Sequence, residues 1–176
     1  MSVKSEEIPI KIREVNSQMV GKMFVVSGII ISTTKPYIKA SKLKIQCKSC
    51  QTTKTIVIEP GQNPYVPAYC EEGARMGHKC PQDPYVALPD SEVIDAQSLK
   101  IQESPEDVPT GEIARTYRLM CDRNHVSKCV PGDRVSITGI MLVHDVKTEN
   151  LSKGHLYVCG IEKLKERTWM HFTEQE

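Results

Sequence analysis

Aromatic side chains are scarce in this sequence, which has two phenylalanines, one tryptophan and 5% aromatic residues in all. That scarcity argues against a platform of stacked rings as the main device for binding nucleic acid. Long apolar runs are missing too. The longest, around residues 28–31, is the size of a strand and far shorter than the roughly 20 residues of a membrane-spanning helix. The first residues lack the apolar core of a signal peptide, so nothing points to secretion.

An excess of one charge is also missing, since 23 Lys and Arg face 22 Asp and Glu for a formal net charge of +1. Any affinity for nucleic acid must therefore come from a local patch, because the average field is close to neutral. The 176 residues are 39% hydrophobic and 26% charged. These values fit a soluble globular chain of one domain with room for an insertion.

What the sequence does have is a series of short β-strand patterns. Residues 23–31 are dense in β-branched side chains, and later segments alternate apolar and polar residues as half-buried strands do. Proline and glycine divide these segments in the loops 104–111 and 130–133. Residues 12–19 have a short helical rhythm. We predict a mostly β chain, a small barrel or sandwich, with strands at 23–31, 43–46, 99–102, 117–121, 134–140 and 156–161.

Seven cysteines are the most distinctive feature, and with no export signal metal ligation is favoured over disulfides. Cys47 and Cys50 form a C-x2-C knuckle, in which both thiolates can face one metal ion. Cys70 and Cys80 follow, separated by a wide loop. We predict that these four cysteines form a tetrahedral zinc site. Four thiolates leave no position for water, so the predicted site is structural.

The segment 47–88 interrupts the strand series and carries these four cysteines. It has few large apolar side chains and cannot form a core of its own, and zinc ligation can replace such a core. His78, two residues before Cys80, is an alternative ligand. A surface histidine beside the knuckle is the favoured interpretation.

The other three cysteines have a different interpretation. Cys121 and Cys129, with His125 between them, offer only three ligands at spacings of four. Small buried thiols in strands are the commoner case, so we favour core residues over a second metal site. Cys159 lies in an apolar strand and is predicted to belong to the core.

Several motifs occur in a characteristic order. Residues 101–109 (IQESPEDVP) follow the pattern IQE-x-PE-x-x-P, and residues 109–115 (PTGEIAR) and 130–140 (VPGDRVSITGI) follow them. Together they resemble the N-terminal domain of the minichromosome maintenance (MCM) replicative helicases. The resemblance covers about residues 10–165 and extends to the segments 21–30, 45–50, 79–85 and 119–123.

The resemblance implies an OB-fold barrel with a zinc-binding insertion and a β-hairpin that projects into a central channel holding DNA. It implies a nuclear protein of DNA replication, licensing and the cell cycle, with other MCM subunits of a heterohexameric ring and single- or double-stranded DNA as partners. The expected role is a non-catalytic collar that supports ring and double-ring assembly. The expected boundaries are a lead-in at 1–22, the barrel at 23–46 and 89–165 with the hairpin at about 140–160, the insertion at 47–88 and a tail at 166–176.

Two departures from the family pattern stand out. No G-x-x-x-x-G-K-[ST] phosphate loop occurs, so the ATPase module is missing, and ATP would belong only to that module. The chain is therefore expected to be a fragment without enzymatic activity of a protein that is an ATP-dependent DNA helicase subunit. Ala114 also replaces the proline that the family has before the arginine of its motif.

Basic side chains are the candidate DNA contacts, because OB barrels combine a basic groove with stacking. For each lysine the alternative is an ordinary solvated sheet face. The loop around residues 104–111 is acidic and a poor phosphate binder. The candidates are Lys35, Lys39, Lys42 and Lys44 near the second strand, Arg115 and Arg118 at the start of a later one, and Lys147 and Lys153 on the hairpin.

Two other functions compete with a DNA-binding collar. The first is a scaffold that holds neighbouring subunits and makes little direct contact with DNA, which the near-zero net charge and the few aromatics favour. The second is a zinc enzyme. It would need an open coordination position and an acid or base such as the H-x-E motif of nucleotide deaminases, which the sequence lacks.

Overall fold

The computed structural model describes residues 7–60, 64–77, 79–146 and 151–164. The prediction of a mostly β chain is confirmed. One short helix, α1, covers Glu71–Arg75, and single 3-10 turns lie at Ile12–Glu14, Ser17–Met19, Pro105–Asp107 and Arg123–His125. The strands are β1 Met23–Thr33, β2 Tyr37–Cys47, β3 Thr53–Val57, β4 Tyr85–Ala87, β5 Glu92–Gln102, β6 Thr116–Asp122, β7 Arg134–Val146 and β8 Leu151–Lys163.

Five of these strands close into a barrel. They are hydrogen-bonded in the order β1-β7-β8-β6-β5, and β1 also pairs with β5, so the sheet returns to its starting strand. The β6–β8 contact is parallel and the other barrel pairs are antiparallel. A five-stranded barrel of this kind is the architecture of OB-folds.

The barrel interior is filled by alternate residues of the strands. Ile30, Ile101, Leu119, Val135 and Ile137 are all completely buried there. β1 approaches β5 so closely that a β-carbon at residue 28 would lie 2.4 Å from the main-chain oxygen of Gln102. The position therefore requires glycine.

The N-terminal segment is held against the barrel. The helical rhythm of residues 12–19 produces two separate 3-10 turns, because Asn16 between them is extended and its side chain accepts a hydrogen bond from the N–H of Gln18. The main-chain N–H of Ile10 donates to Val25, and that of Gly21 donates to Met141, each over 2.9 Å. Ile12 and Val15 then cover one end of the core.

β7 and β8 form a long hairpin. Each strand has thirteen residues, and their pairing runs from Val135 and Lys163 near the base to Val146 and Leu151 near the tip. The two strands cover residues 134–146 and 151–163, which include the described part of the hairpin that the sequence predicts at about 140–160.

A small lobe extends from the barrel along β2. The first half of β2 pairs with β5, a bulge at Ser41 interrupts that pairing, and the second half carries β3 on one side and β4 on the other. β2 ends at Cys47, so one continuous strand leads from the barrel to the first cysteine of the predicted metal site.

Candidate metal centre and nucleic-acid interface

Cys47 and Cys50 lie on a tight turn at the end of β2. The main-chain N–H of Gln51 donates to the oxygen of Cys47 over 2.9 Å, and that of Cys47 donates to Thr52 over 3.0 Å. Gln51 adopts a left-handed φ of 58°, which lets the chain reverse directly after the second cysteine. This local geometry turns both thiols to the same side.

Cys70 and Cys80 reach the same point from the rest of the lobe. Cys70 directly precedes α1, and the main-chain N–H of Gly73 donates to its Sγ over 3.3 Å. Tyr85, five residues after Cys80, pairs with Cys47 in the β2–β4 register. The N–H of Lys48 donates to the main-chain oxygen of Pro84 over 2.9 Å, which fixes this segment to the knuckle.

The four sulfurs form one cluster. All lie within 4.8 Å of one another, with Cys47 and Cys80 3.7 Å apart and Cys50 and Cys70 3.5 Å apart. These distances exceed a disulfide bond of about 2.05 Å. A tetrahedral zinc ion with bonds of about 2.3 Å holds its sulfurs about 3.8 Å apart. The residues present therefore fit a divalent ion with four thiolate ligands.

The electrostatics of the cluster also favour a bound cation. Hydrogen bonds from Thr52 lower the pKa of the Cys50 thiol to about 6, whereas burial and the neighbouring sulfurs raise the pKa of Cys80 to about 12. Four thiolates at this spacing repel one another, and a coordinated metal removes their protons. Such an ion would have no open position for substrate or water.

The other cysteines do not form a second centre. In the described part of the chain, the cluster of Cys47, Cys50, Cys70 and Cys80 is the only group of three or more candidate ligands. Cys121 and Cys129 are buried in the core, as predicted, and burial raises the pKa of both thiols. Cys159 is only half-buried and is the extra residue at an irregularity of the β7–β8 ladder, so its assignment to the core is wrong. His78 lies outside the described residues.

Two of the predicted DNA contacts are engaged in ion pairs. Lys42 and Lys44 lie on the same face of β2, as their alternation predicts. The ammonium of Lys42 lies 3.0 Å from the carboxylate of Glu92, and Lys44 pairs with Asp90. Both lysines are therefore partly neutralised.

Lys39 lies in a groove of about 280 Å³ between β2, β5 and β6. Burial lowers its pKa, and Asp122 opposes that effect. Asp122 also accepts a 2.5 Å hydrogen bond from the hydroxyl of Tyr157. Lys39 is consequently a half-buried cation beside an acid, a weaker anion site than an exposed lysine.

Lys35 and Arg118 are exposed. Arg118 stands opposite Lys100 in the β5–β6 register, so two like charges are neighbours on the outer face of the barrel. Such a pair is unfavourable by itself and is relieved by an anion. Lys147 lies outside the described residues, and of Lys153 only its main chain in β8 is described.

Arg115 is held in a network that the sequence did not lead us to predict. Its main-chain N–H donates to the Glu103 carboxylate over 2.9 Å, and its Nη1 donates to the main-chain oxygen of Arg13 over 3.2 Å. Glu103 is buried and paired with Arg13. One signal could have revealed it: Glu103 continues the inward-facing series of Leu99 and Ile101, and an acid at such a position requires a cation.

No helix in the described ranges is both long and apolar enough to cross a bilayer.

Comparison with known proteins adds decisive information to this geometry. The sequence model of the MCM OB domain matches residues 11–145, a range that includes most of the barrel and all four clustered cysteines. The chain belongs to the MCM OB domain family. This confirms the resemblance in the motifs around residues 101–140 and the predicted fold class.

Relatives with a common name support the same assignment. The DNA replication licensing factor MCM5 of Oryza sativa subsp. indica is 33% identical over 172 residues, covering 93% of this chain. The Xenopus tropicalis protein of that name is 42% identical over 141 residues, covering 78%, and the Dictyostelium discoideum protein is 35% identical over 184 residues, covering 98%. The segments 45–50, 79–85 and 119–123 of the sequence predict the greatest likeness to the fifth subunit of the MCM heterohexamer, and the names of these relatives confirm it.

The match is to a limited part of these relatives. The chain spans 24% of the length of the Oryza and Dictyostelium proteins and 19% of the Xenopus protein.

Proposed function

We propose that this chain is the non-catalytic N-terminal collar of a replicative DNA helicase subunit. It binds DNA in a central channel and supports the assembly of a heterohexameric ring and of double rings with other MCM subunits, in the nucleus, during licensing and unwinding. The family match, together with relatives named as DNA replication licensing factors, carries this proposal. ATP hydrolysis belongs to the whole protein, in a module that these residues do not include.

The lobe at 47–88 supports the collar as a zinc-held insertion in the barrel of residues 23–46 and 89–165. The spacing of the four sulfurs is that of a tetrahedral thiolate site. Cys47, Cys50, Cys70 and Cys80 would hold the ion, which supplies order and no reaction step.

DNA contact in this proposal comes from cations at several places on the barrel and the hairpin. Phosphate contacts from a ring of subunits position DNA without reading its sequence. Arg115 and Arg118 on the barrel are exposed, and the Lys100–Arg118 neighbours favour an anion between them. The full set is Lys35, Lys39, Lys42 and Lys44, Arg115 and Arg118, and Lys147 and Lys153 on the hairpin.

The test is DNA binding by the chain assembled with partner subunits. Changing Lys147 and Lys153 to Glu should weaken binding of single-stranded DNA and reduce its dependence on salt. The matched control is Lys22→Glu and Lys54→Glu, the same charge change at two exposed lysines outside this set, which should have a smaller effect. Equal binding by the hairpin variant and the unmodified chain would reject the hairpin contact.

A subunit scaffold with little direct DNA contact is the second candidate, and the pairing of Lys42 and Lys44 with Glu92 and Asp90 favours it. Analytical ultracentrifugation with partner subunits, with and without a chelator, separates the two functions. Assembly that depends on the metal and occurs without measurable DNA affinity identifies the scaffold. Assembly with salt-dependent DNA binding identifies the collar.

A further inference from the structure

The exposed Arg115 is fixed at both its main chain and its side chain. Its N–H donates to Glu103 Oε2 over 2.9 Å, and its main-chain oxygen accepts from the N–H of Glu103 over 3.1 Å. Its guanidinium donates to the main-chain oxygen of Arg13 over 3.2 Å. Arginine has five N–H donors in a rigid fork, so this bond orients the guanidinium and leaves other donors for a second partner.

The group that fixes Arg115 is a buried ion pair. Glu103 is 2% exposed, and both its oxygens bind Arg13, Oε1 to Nε over 2.9 Å and Oε2 to Nη2 over 3.0 Å. Two parallel bonds of this kind are among the strongest in proteins and specify orientation as well as energy. The pair joins residues ninety positions apart in the chain.

Arg13 is itself anchored to the core. Ile12, beside it, is 2% exposed and belongs to the barrel core, and Val15 is buried there as well. The hydroxyl of Tyr117, on β6, lies 3.4 Å from the main-chain oxygen of Val15 and donates to it. The Arg13 main-chain oxygen that orients Arg115 is therefore part of a fixed surface.

Arg13 also determines how much negative charge is left unpaired near Arg115. Besides the Glu103 carboxylate, it binds Glu112, whose Oε2 lies 3.0 Å from Nη1. Without Arg13, the Glu103 carboxylate would be available to Arg115, whose main-chain N–H already donates to it. An arginine in a salt bridge with a carboxylate is a poorer phosphate ligand, because the acid repels the phosphate.

We propose that Arg13 and Glu103 are positioning residues that hold the Arg115 guanidinium in place for a DNA phosphate and keep neighbouring carboxylates from capturing it. This inference rests on the proposed function, in which Arg115 contacts DNA. It adds that the contact depends on a segment located about a hundred residues earlier in the chain.

Arg13→Lys tests the proposal without changing the net charge. Lysine keeps the cation but lacks the planar fork that binds both Glu103 oxygens. The measurement is binding of an oligothymidylate by the zinc-loaded chain over a range of NaCl concentrations. Arg115→Gln should lower the salt slope by about one. Arg13→Lys should lower the salt slope by the same amount. The slope of the double variant should be no lower than that of either single variant.

A second variant, Glu103→Gln, distinguishes loss of positioning from a simple change in charge. It removes a negative charge, so a purely electrostatic effect would strengthen DNA binding, whereas loss of positioning weakens it. In both variants the main-chain amide of Arg115 should exchange with solvent at least about tenfold faster. The control is Lys11→Arg in the same segment, which conserves the charge of an exposed pair with Asp107; it should change neither quantity.

The outcomes separate the two proposals. If Arg115→Gln leaves DNA binding unchanged, the Arg115 contact of the proposed function is wrong, and the amide exchange alone decides whether Arg13 and Glu103 position Arg115. Unaltered exchange in both variants overturns the positioning role. If the reductions in salt slope of Arg13→Lys and Arg115→Gln add up in the double variant, the positioning role is overturned as well. Tighter DNA binding by Glu103→Gln also overturns it.

Discussion

The barrel and the lobe are held in their folded forms by different means. The barrel has a continuous apolar core, with residues such as Leu119 and Val135 fully buried. The lobe has exposed tyrosines and a methionine on its surface, Tyr65, Tyr69 and Met76, and its most buried side chains include Cys47 and Cys70. A segment this small has too much surface for its volume to form a stable apolar core. The comparison teaches that the lobe has four clustered sulfurs, whose spacing fits a metal ion, where the barrel has an apolar core.

Removal of the metal should have the largest effect and should be confined to the lobe. Structural zinc contributes an apparent 10–16 kcal/mol in small finger peptides, on the order of the whole folding energy of such a unit. A chelator, or Cys47→Ser, should abolish amide protection in β3 and β4 and preserve it in β1 and β7. Hydrogen exchange before and after chelation measures this. The control is Cys159→Ser, a half-buried thiol outside the cluster. Loss of protection in the barrel as well would break the comparison.

Arg13→Met should destabilise the barrel by about 3–5 kcal/mol, because it removes the guanidinium that binds both oxygens of the buried Glu103 carboxylate. Lys11→Met, which breaks an exposed pair with Asp107 in the same segment, should cost less than about 1 kcal/mol. Urea unfolding of the two variants provides the measurement. Equal costs would contradict the assignment of Glu103 as a buried charge.

The same ion pair should make the stability of the barrel depend on pH in the acid range. Arg13 and the N–H of Arg115 hold the pKa of Glu103 below its ordinary value of 4.5. The unfolded state then takes up this proton at a higher pH than the folded state. The stabilisation is therefore complete above about pH 4.5 and is lost as the pH falls through the lowered value. Glu103→Gln should flatten the stability profile in this acid range, and a profile as steep as that of the unmodified chain would refute the linkage.

Leu119→Ala should lower the free energy of unfolding of the barrel by about 2–5 kcal/mol, because Leu119 is fully buried in the core and a cavity remains. The zinc content of the folded chain should stay unchanged. Urea unfolding measures the loss of barrel stability, and elemental analysis measures the zinc content. Together they show whether the barrel can be weakened while the sulfur cluster keeps its ion. Loss of metal from the folded variant would show that the two regions are not separately stabilised.

Lys42→Gln should have the smallest effect. Its pair with Glu92 is exposed, so the loss of stability should be less than about 1 kcal/mol. DNA affinity should also change less than for Arg118→Gln, because the charge of Lys42 is already compensated. Titration with an oligothymidylate compares the two, and a larger loss for Lys42→Gln would reverse the ranking of the cations.

The parts of the structure that follow local rules were predictable. The cysteine spacing predicted which four thiols come together, and alternation predicted the strands and the common face of Lys42 and Lys44. Partners distant in the chain were not predictable in this way. Nothing in the local pattern around Glu103 indicates Arg13, and the helical periodicity of residues 12–19 did not show that main-chain bonds to β1 and β7 would hold the segment at its two ends.

The bulge at Ser41 has a consequence for the metal site at the far end of β2. Side chains alternate between the two faces of a strand, so deleting the extra residue would rotate every later side chain of β2 to the opposite face. The knuckle of Cys47 and Cys50, and the strands β3 and β4 that pair with this half of β2, would then turn with it to the opposite side of the sheet. The single unpaired residue in this ladder thus sets the side of the barrel on which the sulfur cluster lies, and an insertion or deletion there would move the lobe without altering any of its cysteines.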